Sequence, residues 1–214
     1  MSFRHFSLLD QCIAEIDHFM QSVVKPVRCP QRNSPARDLQ DTHLSATETK
    51  EVIGLMRVNH TGEICAQALY RGQALVAKSQ ETKLHLHHAA NEEYDHLSWC
   101  QTRIDELGGK TSILNPVWYI ASFKIGIAAA LISDKVSYGF VIETEHQVMK
   151  HLSKHLDRLP EKDQKSRAIL QQMYQDEAKH AEKANLAGGS RLPLWTRLLM
   201  KAQSKVMTTV AYFI

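Results

Sequence analysis

The sequence predicts an all-α protein, a four-helix bundle with an internal two-fold repeat and amphipathic helices at its N- and C-terminal ends. Three observations carry that reading. The chain of 214 residues has only 9 glycines and 6 prolines, too little turn chemistry for a β-sheet protein of this length. Apolar residues recur at three- and four-residue spacing over long stretches. Those stretches end at Gly-Gly or Pro, where helices stop.

In chain order, residues 5 to 24 place Phe6, Leu9, Ile13, Ile16 and Met20 on one face of an amphipathic helix. Pro26, Pro30 and Pro35 then enforce a non-helical connector to about Leu44, so residues 1–44 read as a unit separate from the bundle. Ser45 opens the bundle with a capping box, Ser-Ala-Thr-Glu48, ahead of a helix over about 47 to 79. A second helix spans about 81 to 107 and stops at Gly108-Gly109. Asn115-Pro116 reads as a cap and first helical turn, followed by helical period to Leu159. That length exceeds a straight bundle helix, so a break is expected between about 124 and 139. A further helix runs from about 161 to 187 and stops at Gly188-Gly189, closing the bundle at about residue 190. Residues 191–214 form a last, basic amphipathic helix over about 193 to 212.

Charge and cysteine usage narrow the function class. A net charge of +3 gives no general nucleic-acid footprint, so no nucleic-acid partner is expected. After Glu182 there is no acidic residue, while Lys183, Arg191, Arg197, Lys201 and Lys205 are basic. Cys12, Cys29, Cys65 and Cys100 make no Cys-x-x-Cys pair, which suggests a reducing compartment. Asp10 breaks any signal-peptide core. The apolar stretch from Thr111 to Ile142 is cut by Lys124, Asp134 and Lys135, so no spanning helix is expected.

The chemistry lies on the apolar seams. Tracing core positions gives Leu86, Ala89, Glu93, His96, Cys100 and Ile104 in the second bundle helix, and Leu170, Met173, Glu177, His180 and Ala184 in the fourth. Each seam is interrupted by Glu-x-x-His. The first helix carries one seam glutamate, Glu63, and the third carries Glu145. A charged carboxylate at that depth costs several kcal/mol unless it is paired or bound to metal. The order is therefore a lone Glu followed by Glu-x-x-His, twice, the ligand pattern of di-iron and di-manganese four-helix carboxylate proteins. Four carboxylates and two imidazoles without cysteine favour iron or manganese over zinc or copper. Helical period places Glu143 about 200° from Glu145, and Glu92 and Asp176 about 100° off the seam, so none of these three is read as a ligand. His60 and His151, each close to a seam glutamate, read either as hydrogen-bond supports of the ligands or as partly exposed polar residues. His85, His87, His88, His146 and His155 read as surface residues.

The segment Leu55-Met-Arg-Val-Asn-His-Thr-Gly-Glu63, with Tyr70-Arg-Gly-Gln73, closely resembles the first ligand helix of the demethoxyubiquinone hydroxylase family, di-iron monooxygenases of ubiquinone biosynthesis. The resemblance covers about residues 47 to 214 and includes both Glu-x-x-His pairs and Val-Ile-Glu-Thr-Glu145 with His151 beyond it. It implies a ferritin-like bundle with two iron ions on Glu63, Glu93, His96, Glu145, Glu177 and His180, the six seam residues. Glu93 and Glu177 would bridge the metals, with Glu63 and Glu145 terminal. It also implies O2-dependent hydroxylation of a polyprenylated methoxy-methyl benzoquinone, with an external electron donor for which NADH is the candidate. The implied setting is peripheral, on the cytoplasmic side of a bacterial inner membrane, beside other ubiquinone-biosynthesis proteins. Trp118, Tyr119, Phe123, Ile125 and Ile127 with Lys124, and the basic tail with Trp195, Leu198 and Leu199, read as interfacial segments. The competing readings are another ferritin-like peroxidase or manganese catalase, and a non-catalytic iron- or lipid-binding bundle.

Overall fold

The computed structural model describes residues 8–24 and 30–214. The sequence readings at Phe6, Pro26 and Cys29 lie outside the described residues. Seven helices are present among the described residues, and no strand: α1 (Leu8–Val23), α2 (Ala46–Val76), α3 (Gln80–Glu106), α4 (Asn115–Ile132), α5 (Asp134–Arg158), α6 (Gln164–Leu186) and α7 (Leu194–Phe213).

Local chemistry sets the helix ends. The Ser45 hydroxyl accepts from the Glu48 amide at 3.3 Å while the Glu48 carboxylate accepts from the Ser45 amide at 2.7 Å, closing the expected capping box. Gly108 and Gly188 take φ values of 70° and 86° after α3 and α6, and the next glycine of each pair donates back to the carbonyl of Ile104 or Ala184. The long third segment breaks at Ser133, whose extended backbone and hydroxyl cap α5 by accepting from the Val136 amide. At Asn115 the sequence reading needs correction. Leu114 occupies the cap position, and the Asn115 side chain instead accepts the Thr61 hydroxyl of α2 at 2.9 Å.

Helices α2, α3, α5 and α6 form the bundle, as two antiparallel hairpins, α2–α3 and α5–α6, that face each other. The α4 helix carries the chain across and packs along α2. Its Gly126 lies against the Leu69 carbonyl, and Gly72 of α2 lies against the Phe123 carbonyl, so closely that a Cβ at either position would collide. By length and composition α4 is apolar enough to cross a membrane, although counting uncharged runs up to Lys124 suggested otherwise. One lysine in 18 residues leaves the helix strongly apolar. α7 lies over α2 and α5, and α1 is clamped to α2 by a bidentate Arg71–Glu15 pair at 2.8 Å.

Of three apolar clusters among the described residues, one, with Ile64, Ala68, Tyr94, Leu97 and Tyr119, joins α2 and α3 to α4, and the other two lie as layers along the bundle. One layer gathers Val52, Met56, Cys100, Ile104, Leu152 and Met173; the other gathers Ala66, Tyr70, Leu86, Ala89, Val141 and Ala184. In every bundle helix the residues between these two layers are the polar ones singled out above.

Candidate metal centre

Glu63, Glu93, His96, Glu145, Glu177 and His180 converge in that intervening layer, and none is more than 4% exposed. Two overlapping groups form, Glu63–Glu93–His96–Glu177 and Glu93–Glu145–Glu177–His180, each with donor atoms within 4.8 Å of one another. Glu93 and Glu177 belong to both. The His96 Nδ1 lies 3.0 Å from Glu93, 3.1 Å from Glu177 and 3.5 Å from Glu63. The His180 Nδ1 lies 3.1 Å from both Glu93 and Glu177 and 3.8 Å from Glu145. The internal repeat is therefore a spatial pseudo-symmetry, with one imidazole and one private carboxylate on each side of a shared pair.

The electrostatics call for added positive charge. Burial lifts Glu63 and Glu145 well above the usual carboxylate range, and the neighbouring Glu93 and Glu177 charges add to it. Burial also acts against charge on the two imidazoles and on the Glu93 carboxyl, but their mutual attraction wins, holding the histidines up and Glu93 down. Glu93 Oε1, Glu145 Oε2 and Glu177 Oε1 are buried with no aligned donor. Four carboxylates, three with an oxygen lacking a donor, fit two divalent cations in charge and in donor type.

Sequence reasoning missed the groups that hold the imidazoles. Glu92 and Asp176 do leave their own seams, but each reaches the histidine of the opposite helix: Glu92 lies 2.7 Å from His180 Nε2, and Asp176 lies 3.2 Å from His96 Nε2. With Nε2–H donating outward, each Nδ1 is aimed at the carboxylates, where it would ligate a metal ion once its own proton is displaced. The His180 hydrogen bond draws Glu92 down to about 2. Asp176 also accepts from Arg32 of the connector at 2.6 Å, and Arg32 spans to Asp95 at 2.8 Å while lying over the Trp99 ring. Tyr70 donates its hydroxyl to Glu145. The signal for Glu92 and Asp176 was the repeated acidic-Glu-x-x-His frame, which marks a role shared by both halves; Tyr70 stood in the motif that carries the family resemblance without a role assigned to it, and nothing local marked Arg32.

The histidines expected to support the ligands lie elsewhere. Burial lowers the His60 pKa to about 4, against the opposing pull of Gln101 and Asp105. The His151 ring lies tilted against that of His155, with centroids 3.8 Å apart and 59° between the planes. His155, read as a surface residue, is 4% exposed and lies 3.0 Å from Asn59 Oδ1. Glu143 does face away from the cluster, accepting from Arg197 of α7 at 2.7 Å.

A cavity of about 130 Å³, partly open to solvent, lies between α2, α4, α5 and α7 and reaches Glu63. Leu69, Ile125, Phe140, Val148, Met200 and Met207 make most of its wall apolar. Trp118, expected at an interface, lines this cavity. Tyr119 is buried, and Phe123, Ile125 and Ile127 turn at least partly inward; the exposed apolar residues of α4 are Val117, Ile120, Leu131 and Ile132. On α7, Trp195, Leu198 and Leu199 are exposed as expected.

The fold and the polar layer define a helical-bundle carboxylate protein whose buried Glu/His groups are able to hold a metal centre. Residues 50–211 match the family described as ubiquinone biosynthesis protein COQ7. The chain is 57% identical over 209 residues to the 3-demethoxyubiquinol 3-hydroxylases of Francisella philomiragia and of Francisella tularensis subsp. novicida, covering 98% of this chain and 99% of each relative. The chain belongs to the COQ7 family, the hydroxylases of ubiquinone biosynthesis that the sequence resembled.

Proposed function

We propose that this chain is a di-iron monooxygenase that places a hydroxyl on the ring of a demethoxy polyprenyl benzoquinone, 2-polyprenyl-3-methyl-6-methoxy-1,4-benzoquinone or its quinol, in ubiquinone biosynthesis. The observation that carries this is the contact, through Glu63, between the six-residue cluster and a mostly apolar cavity. The names of the relatives support the reaction. Two iron ions bound at the cluster would supply activation of O2.

The chain's own residues do the rest. Glu93 and Glu177 would serve both metal positions, and Glu63 with His96 and Glu145 with His180 would each hold one. Glu92 and Asp176 fix the imidazole tautomers, and Tyr70 holds Glu145. The two apolar layers keep the cluster dry, and the cavity brings a hydrophobic ring to the Glu63 side. The work divides along the chain: residues 45–190 hold the metals, residues 1–44 brace them through Arg32, and residues 191–214 cover the cavity and meet the membrane. The exposed apolar residues of α4 and α7, with Lys201 and Lys205, suit a peripheral site on the cytoplasmic face of an inner membrane, from which a polyprenyl tail enters. The electron donor is external.

Loaded anaerobically with ferrous iron, the protein should hold about two irons per chain. Given O2 and a reductant, it should then convert the demethoxy substrate to its hydroxylated product. One zinc per chain retained after Glu177→Ala, or no product from the two-iron protein, would overturn the proposal.

A further inference from the structure

The cavity beside Glu63 contains polar groups that neither metal binding nor folding uses. Among the residues that line it, Asn59, Trp118 and His151 each bury a side-chain nitrogen with no hydrogen-bond partner among the described residues: Asn59 Nδ2, Trp118 Nε1 and His151 Nε2. Buried polar atoms are almost always paired, so three on one wall need an explanation. They come from three helices, α2, α4 and α5, which makes a coincidence of one poorly packed element an inadequate account.

Asn59 is also oriented. His155 Nδ1 lies 3.0 Å from its Oδ1, so the amide oxygen is occupied and the two N–H bonds of Nδ2 are left to face elsewhere. Asn59 lies one helical turn before Glu63 on α2 and is 3% exposed, so a ligand reaching it lies at the cluster end of the cavity. Charge excludes several ligand classes. Among the described residues no Lys, Arg or Asp lines this cavity and Glu63 is its only acid, so a phosphate- or carboxylate-bearing ligand finds no counter-charge there.

We propose that Asn59, Trp118 and His151 form the site that reads the ring oxygens of a neutral, oxygen-substituted aromatic ligand and so fixes which ring carbon faces the cluster. The inference rests on the proposed quinone hydroxylation and adds the recognition residues to it. Asn59 and Trp118 donate to carbonyl, hydroxyl or methoxy oxygens. His151, its ring set against His155, supplies the third contact as donor or acceptor according to whether the oxygen carries hydrogen. A site built to hydrogen-bond oxygens discriminates against a ring lacking them far better than an apolar wall does, because its own groups are then left unpaired.

The test uses the iron-loaded full chain and two probes of equal tail length, a decyl methoxy-methyl benzoquinone and decylbenzene, with binding measured by equilibrium dialysis. Asn59→Leu and Trp118→Phe should each raise the Kd for the quinone about tenfold, the value of one hydrogen bond to a neutral acceptor. Both should leave decylbenzene binding and the iron content unchanged. Trp118→Phe keeps an aromatic ring in place and remains informative if Asn59→Leu folds poorly. Equal weakening for both probes, or no weakening for either, would overturn the inference while leaving the hydroxylase reading intact. A wild-type protein that binds the quinone no better than decylbenzene would remove both.

Discussion

Glu143 and Glu145 are two residues apart and chemically alike, so exchanging each for glutamine isolates position from chemistry. Glu145 is 1% exposed, receives the Tyr70 hydroxyl and lies 3.8 Å from His180 Nδ1. Glu145→Gln removes one of four buried negative charges and leaves the cluster short of neutralising two divalent ions. Breaking a buried charge pair from one side costs about 3–5 kcal/mol, which is roughly a 10²- to 10⁴-fold loss of metal affinity at the His180 position. Glu143 instead accepts from the partly exposed Arg197 at 2.7 Å. A pair of that kind is worth about 0.2–1 kcal/mol, so Glu143→Gln should change turnover by less than about tenfold. Iron per chain after gel filtration and hydroxylated product per minute read both effects. An inactive Glu143→Gln beside an active, iron-replete Glu145→Gln would mean that α5 is rotated from the seam described above.

Glu92→Gln and Asp176→Asn should each weaken iron binding about 10- to 100-fold, because each removes the acceptor that fixes an imidazole across the bundle; competition with a chelator measures this, and wild-type retention in both would dismiss the tautomer argument. Acid should destabilise the fold early. Burial lowers His60 and His151 to about 4 and His155 to about 2, so the folded chain stays neutral there while the unfolded chain takes up protons below about pH 6.5. Stability from these groups is complete above that pH and falls by up to about 1.4 kcal/mol per histidine per pH unit toward pH 4; a flat denaturation midpoint between pH 6.5 and 5 would contradict it. Lys201→Glu with Lys205→Glu should release the protein from anionic vesicles with iron content unchanged, since neither residue is near the cluster; undiminished flotation would move the contact to α4.

The six cluster residues were legible because helical period is a strong constraint on which side chains share a face. A carboxylate in an apolar seam contradicts its surroundings, and the contradiction recurs at Glu63, Glu93, Glu145 and Glu177. The same period could not reveal Glu92 and Asp176, because it reports position relative to a residue's own helix, whereas their function lies on the neighbouring one. A hydrogen bond from His180 on α6 to Glu92 on α3 depends on how the two helices are set against each other, and that is decided by packing. The α4 helix shows the same limit from the opposite direction. Its sequence is apolar almost throughout, so nothing in it distinguishes the face with Trp118 and Tyr119 from the face with Val117 and Ile120. The close approach of Gly72 and Gly126 sets the rotation of α4, turning Trp118 toward the cavity and leaving Ile120 exposed. A glycine pair 54 residues apart carries no signal until the helices meet. The substrate side of this site therefore follows from interhelical contacts, while the metal side is written in the repeat.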